Sequence, residues 1–245
     1  MSGYTLTYKG HAPVGLADGA ALRPDLLGEL DRKSLERAVG EHFDIAGDQG
    51  NCLTVRNLPV LSRLGAQMQR GMLVVEGNVG TDLGASMAGG LIRVIGSAGD
   101  RVGGPDRGCD RGMTGGEIVV QGDGGDYAGL VQAAGLIVIG GKAGRSPGYR
   151  MLAGTIVICR GPLDQPGLEM RRGTVICIDR QTQMALGPGF SENGTFDQLQ
   201  VVRLVLRRVV ALGVNIENGA MGGRFVHYSG DRFELNKGEL LQWVC

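Results

Sequence analysis

The chain has 245 residues and a formal net charge of +0 at pH 7, so composition gives no reason to expect a nucleic acid or another polyanion as partner. Hydrophobic residues make up 42% and aromatics only 4%, whereas the 45 glycines are more than twice the usual share of roughly 7%. No apolar run reaches the roughly eighteen residues that would suggest a membrane span. Met1–Gly10 lacks the apolar core of a secretory signal, so a cytoplasmic location is expected.

Along the chain, Tyr4–Tyr8 (YTLTY) reads as a short strand. Pro24–Leu30 and Ser34–Val39 read as short helices, with Ser34 as an N-cap. Residues 1–50 are expected to cap the first of the strands beyond them, because an open strand edge invites aggregation unless covered.

A repeat then begins. Short strand-like runs follow glycine six times: GMLVVEG from Gly71, GLIRVIG from Gly90, GEIVVQG from Gly116, GLIVIGG from Gly135, GTIVICR from Gly154 and GTVICID from Gly173. The intervals are 19, 26, 19, 19 and 19 residues, the 26 being one repeat plus an insertion. An earlier repeat, Leu53–Arg70, fits if it is one residue longer. A second glycine recurs at Gly84, Gly103, Gly129, Gly148 and Gly167. A methionine recurs at Met68, Met87, Met113, Met151 and Met170, with Gln132 as the exception.

Within each run the third position (Leu73, Ile92, Ile118, Ile137, Ile156, Val175) and the fifth (Val75, Val94, Val120, Ile139, Ile158, Cys177) are almost all aliphatic. Period-two spacing puts both on one face of a strand. Such a repeat is too short for a strand plus a crossover helix. The chain is therefore expected to coil into a right-handed parallel β-helix of about seven turns, with the class mostly β.

The fourth position should face outward, yet reads Val74, Arg93, Val119, Val138, Val157 and Ile176. An apolar stripe there should not stay wet. It could be covered by a partner subunit, with Val74, Val119, Val138 and Val157 as contacts. It could instead be covered by an amphipathic helix over Phe196–Val210, with Leu199, Val202, Leu206 and Val209 on one face, or the helix and a partner could share it. Arg224–Val244 reads as a β arm or hairpin. Three regions result: a cap over 1–50, the β-helix over 51–192, and a helix and β arm over 193–245.

Chemistry is sparse. Cys52, Cys109, Cys159, Cys177 and Cys245 form no CxxC pair, which argues against a disulfide framework or metal ribbon. His11, His42 and His227 are too far apart for a local metal motif. The carboxylates Glu76, Asp82, Glu117, Asp123, Asp126, Asp164 and Glu169 fall mostly in corners, and no column carrying acids in several adjacent turns is expected. The glycine strings run into another strand rather than a helix, so they are not a dinucleotide fingerprint. The insertion, Pro105–Met113 (PDRGCDRGM), is expected to project from the wall and meet a partner through Arg107, Cys109 and Arg111.

The turn pattern resembles the GXGXG domain shared by the glutamate synthase large subunit and the C-type subunit of formylmethanofuran dehydrogenase. VGGPDRGCDRGMTGG (Val102–Gly116) and YSGDRFELNKGELL (Tyr228–Leu241) are similar to the C-type family, whereas the glutaminase and flavin regions of glutamate synthases are absent. Pro105 and Asp106 depart from the aromatic residue expected in archaeal relatives. The resemblance implies a non-catalytic scaffold subunit with no cofactor of its own. Amidohydrolase-like, formyltransferase and molybdoenzyme-like subunits would be its partners and would hold the metals, tetrahydromethanopterin and a methanofuran-type carrier. One such complex transfers a formyl group between those carriers and hydrolyses it to formate; another, with tungsten or molybdenum, interconverts carbon dioxide and formylmethanofuran. Arginine far outnumbers lysine, which tilts the reading to the bacterial formyltransferase/hydrolase complex. A glutamate synthase-like subunit is the further alternative. Arg145, Arg150, Arg171 and Arg172 are candidates to guide an anionic carrier tail.

Overall fold

The computed structural model describes residues 2–9, 20, 22–27, 30–40, 42–57, 59–181, 184–197 and 199–245. His11 and part of the predicted helix Pro24–Leu30 lie outside them. The elements in chain order are β1 (Gly3–Tyr8), α1 (Pro24–Leu27), α2 (Arg32–Val39), β2 (Phe43–Gly47), β3 (Cys52–Arg56), β4 (Met72–Glu76), β5 (Leu91–Ile95), β6 (Glu117–Val120), β7 (Leu136–Ile139), β8 (Thr155–Ile158), β9 (Leu163–Asp164), β10 (Arg172–Cys177), β11 (Met184–Ala185), β12 (Ser191–Asp197), α3 (Gln200–Ala211), β13 (Arg224–Gly230) and β14 (Lys237–Trp243).

The protein is mostly β. Twelve strands make one sheet in the order β12-β13-β14-β10-β8-β7-β6-β5-β4-β3-β1-β2, with β9 and β11 paired separately. From β1 to β14 every neighbouring pair is parallel, and only β2 at one end and β12–β13 at the other run antiparallel. Register is kept throughout: Leu53, Leu73, Ile92, Ile118, Ile137, Ile156, Val175 and Leu240 are successive partners. All eight are 0% exposed. Burying each aliphatic side chain contributes about 1.5–3 kcal/mol, which lets a chain poor in aromatics hold a core.

The connections between strands follow the same offset. The Gly84 N–H donates to the Leu64 carbonyl at 2.8 Å, Gly103 to Leu83 at 2.7 Å, Gly129 to Val102 at 2.7 Å and Gly148 to Ala128 at 2.7 Å. Met68, Met87, Met113, Met151, Met170 and the exceptional Gln132 are all 0% exposed. Met68, Met87, Met113 and Met151 each pack where the glycine opening the run after the next would otherwise carry a side chain, at Gly90, Gly116, Gly135 and Gly173. At Gly116, φ is +85° and an added Cβ would sit 2.7 Å from the Gly90 carbonyl oxygen and 2.8 Å from the Met87 methyl. Only glycine meets both demands there.

Small polar side chains add a second set of rungs. The Ser62 hydroxyl accepts from Thr81 N–H at 3.2 Å, Asp100 Oδ1 from Asp126 N–H at 2.9 Å, and Asp126 Oδ1 from Arg145 N–H at 2.8 Å. A neighbouring column runs from Asn78 through Ser97 and Asp123 to the Lys142 N–H. Asp100 and Asp126 occupy successive rungs, and the column holds Thr81 before them and Arg145 after, so acids do not run through several adjacent repeats. Their oxygens are engaged by backbone donors that strand pairing leaves over.

The flanks differ in detail from their sequence reading. β1 adds a parallel rung beside β3, and β2 closes that edge. The N-cap of α2 is Asp31, not Ser34; its Oδ1 accepts from the Ser34 N–H at 2.9 Å. Asp31 is itself a strong capping residue, so the start shifts one turn earlier. The predicted Phe196–Val210 helix begins at Gln200, because Phe196 is drawn into β12 by pairing with Phe225.

The apolar outer column pairs Val74, Arg93, Val119, Val138, Val157, Ile176 and Leu241 in register. Helix α3 lies on it. Val202, Leu206 and Val209 form a second core with Val119, Val138, Val157 and Ile176, on the sheet face opposite the first. Val119, Val138 and Val157 are 0% exposed, so this chain's own helix, not a partner subunit, covers them. Val74 lies beyond the helix and stays half-buried. Twelve residues span about 18 Å, which at ~4.8 Å per rung reaches about four strands. Arg93 breaks the aliphatic column where the helix ends: its Nη2 donates to the Leu212 carbonyl at 2.9 Å, capping α3.

Replacing Gly116 by Ala should destabilise the fold by ~2–4 kcal/mol, from positive-φ strain plus overlap with Gly90 and Met87. Denaturant unfolding checks this; a loss under about 0.5 kcal/mol would show that the column tolerates a Cβ.

Candidate functional site

Among the described residues no group of three or more His, Cys, Asp or Glu is placed to hold a metal ion. Among the described residues no helix is long and apolar enough to cross a membrane. Cys159 and Cys177 are buried, and burial pushes their thiols up to about 12 and about 11 respectively, far from thiolate reactivity. Asp126 is held below the usual carboxylate range, chiefly by the Arg145 backbone N–H and further by its side chain. A carboxylate so stabilised is a poor general acid. Three other features stand out: the insertion, one arginine-lined corner and a cleft beside α3.

The insertion is spliced into a tight corner. Elsewhere the corner glycine accepts from the residue three positions on, as Met87 N–H to Gly84 at 3.1 Å and Met151 N–H to Gly148 at 3.0 Å. Here the Met113 N–H still donates to the Gly103 carbonyl, at 2.7 Å. The extra residues loop out between two positions that remain hydrogen-bonded. Arg107, Cys109, Asp110 and Arg111 are exposed on that loop.

Asp106 is not among them. It turns back onto the wall and is 5% exposed. Its Oδ1 accepts from Arg63 Nε at 2.9 Å and its Oδ2 from the Gln67 amide at 2.5 Å. Its own N–H donates to the Ser86 hydroxyl at 2.9 Å, and that hydroxyl donates to the Arg111 carbonyl at 2.8 Å. Two earlier repeats thus grip both legs of the loop. The only sequence signal for this clasp is the acid itself, and its partners, 43 and 39 residues away, carry no motif.

The candidate carrier-tail arginines occupy corners on neighbouring rungs. Arg145 pairs with Asp126 at 3.3 Å, Arg150 with Glu169 at 2.8 Å and Arg171 with Glu234 at 3.0 Å. The Tyr149 hydroxyl also donates to Glu169, at 3.1 Å, and the Arg150 guanidinium lies 5.5 Å from the Tyr149 ring centre. Arg150, Arg171, Glu169, Glu234 and Asp110 line one shallow groove below the insertion. Three of the four arginines are therefore neutralised by carboxylates, and an anionic tail bound there would have to compete with those pairs. Arg172, exposed at the start of β10, stands apart from them.

The cleft, of about 240 Å³, opens between the first half of α3 and the sheet. Phe196, Leu199, Val201, Val205 and Leu241 give it apolar walls, and His227 and Glu239 close one side. His227 Nε2 lies 3.7 Å from Glu239 Oε1, and the Thr174 hydroxyl donates to Glu239 Oε2 at 3.1 Å. No motif points to this cleft, since its walls come from β8, β10, β12, α3, β13 and β14 together.

Burial raises the Asp106 pKa, but hydrogen bonds from Gln67, the Arg107 backbone and Arg63 outweigh it and leave the carboxyl below its ordinary 3.8. Its stabilising contribution is therefore complete above pH 3.8 and is lost as pH falls through the lower folded value. Replacing Asp106 by Asn should cost ~3 kcal/mol near neutral pH, because it removes the buried carboxylate that accepts from Arg63 and Gln67. The gap between the two chains should narrow in melts below pH 3.8. Equal melting temperatures at pH 7 would rule the clasp out.

No protein-family model matches the chain, and no curated protein matches it. A solved structure does. The chain is similar to one in the X-ray crystal structure of the formyltransferase/hydrolase complex (FhcABCD) from Methylorubrum extorquens in complex with methylofuran, at 31% identity and a TM-score of 0.79. The match covers 97% of this chain and 98% of that one. Identity at that level, sustained from end to end of both chains, places this chain in the family of subunits that build formyltransferase/hydrolase complexes.

Proposed function

We propose that the chain is the C-type scaffold subunit of a formyltransferase/hydrolase complex and has no active site of its own. The end-to-end likeness to a chain of such a complex carries this reading. The repeat also supports it, because nearly every buried position is committed to stacking. On this reading residues 51–192 form a right-handed parallel β-helix, 1–50 cap it, and 193–245 supply the covering helix and β arm. Backbone bonds between successive connections, as well as successive strands, support the coil.

Amidohydrolase-like, formyltransferase and molybdoenzyme-like subunits would carry the chemistry. They would bind tetrahydromethanopterin, metals and a methylofuran-type carrier, move the formyl group between carriers, and release formate. Scaffold function then consists of presenting fixed surfaces: the clasped insertion with Arg107, Cys109 and Arg111, the half-buried Val74 near the N-terminal end, and the arginine corner. Arg172, with Arg145, Arg150 and Arg171 when released from their carboxylates, would meet an anionic carrier tail.

Purification of the tagged chain from its source cells should bring down the other subunits, and that assembly should hydrolyse the formylated carrier to formate. The chain alone should not. Hydrolysis by the isolated chain at the rate of the assembly would refute the scaffold role. Stoichiometric tungsten or molybdenum in the assembly would decide for the dehydrogenase type instead.

A further inference from the structure

Helix α3 has two apolar faces. Val202, Leu206 and Val209 are buried against the sheet, which satisfies one of them. The other is turned outward: Val201 is 70% exposed and Leu204 64%. Residues three apart on a helix are neighbours, so these two form one continuous strip. The strip runs straight into the cleft, whose wall includes Val201 and the 42% exposed Phe196. An amphipathic helix on a monomer would carry polar residues here. The helix is also cationic, with Arg203, Arg207 and Arg208 and no acid in its twelve residues. Arg208 is held by Glu117 at 2.6 and 2.7 Å. Arg203 and Arg207 make no ion pair among the described residues.

A small ligand does not account for this surface. An apolar cavity of about 150 Å³ is enough for a benzene, so a single bulky side chain fits the cleft. A small molecule seated there would still leave Leu204 and much of Val201 in water. The occupant must fill the cleft and cover the rim at once, and must bring negative charge to Arg203 and Arg207.

We propose that the outward face of α3 docks another protein subunit, which seats one large apolar side chain in the Phe196–Val201–Leu241 cleft, covers Leu204, and sets carboxylates against Arg203 and Arg207. This rests on the reading of the chain as one subunit of an assembly. Such a contact follows the usual plan of an interface, with a buried anchor at the centre and charges at the edge. It also explains why α3 carries apolar residues on two faces: both are interior once the assembly forms.

The test uses an L204C chain in a C109S/C245S background, labelled with a maleimide both alone and within the assembly purified from source cells. Peptide mass spectrometry reads the introduced thiol. Labelling in the assembly should be at least about tenfold slower than in the free chain, as expected for a residue near an interface centre. A rate within about twofold of the free chain, in an assembly that does contain the other subunits, overturns the docking site and leaves the scaffold reading standing. If none of the other subunits co-purifies, both fall. As a further measurement, the V201D/L204D pair should weaken assembly at least about tenfold while leaving the melting temperature of the free chain unchanged, since both side chains are already wet there. R203E/R207E should weaken assembly more at low salt than at high. Unchanged assembly in all these variants overturns the proposal.

Discussion

Parallel pairing at a fixed offset ties each residue to its counterpart one repeat away, and the rest of the molecule depends on it. Once Leu73 sits beside Ile92 and Ile92 beside Ile118, every other position in the repeat is stacked on its own kind as well. Aliphatic residues become columns, methionines become a column, and the polar residues Ser62, Thr81, Asp100 and Asp126 become a ladder. A single side chain contributes modestly. Repetition makes the same small contribution at every rung, and one misplaced residue is felt by two neighbours.

The same constraint decides what the amino-acid order reveals. Columns built from one residue type, such as Ile118, Ile137 and Ile156, are visible without any coordinates, because equal offsets print equal letters. The covering helix is visible too, from Val202, Leu206 and Val209 at helical spacing. The polar ladders are harder to see: Ser, Thr, Asn and Asp do one job there, and no single letter repeats. The Asp106 clasp is hidden for a different reason. Its partners Arg63 and Gln67 lie two repeats earlier, and only the folded wall brings them under the loop. The cleft is hidden for the most general reason, namely that six elements build it and its walls draw mainly on segments outside the repeat.

Two exceptions in the columns are informative. Arg93 replaces an aliphatic residue just where α3 runs out and its last carbonyls need a donor. Gln132 replaces a methionine in the inner column; its amide donates to the Ala134 and Gly135 carbonyls at 3.2 and 3.0 Å. Its buried Oε1 has no partner among the described residues. The Arg93 change has a clear physical reason. For Gln132 the donor half is accounted for, and nothing in the structure explains the acceptor half.

Stacked repeats contact only their neighbours, and arrays of that kind can melt piecemeal from an end. α3 changes the mechanics. Lying crosswise over Val119, Val138, Val157 and Ile176, it acts as a tie-rod bolted to four rungs and clamped at its far end by Arg93. No one of those rungs can separate without the helix lifting from the others. The middle and C-terminal part of the stack should therefore open as one unit, leaving the N-terminal rungs around β1, β3 and β4 as the end from which the molecule peels.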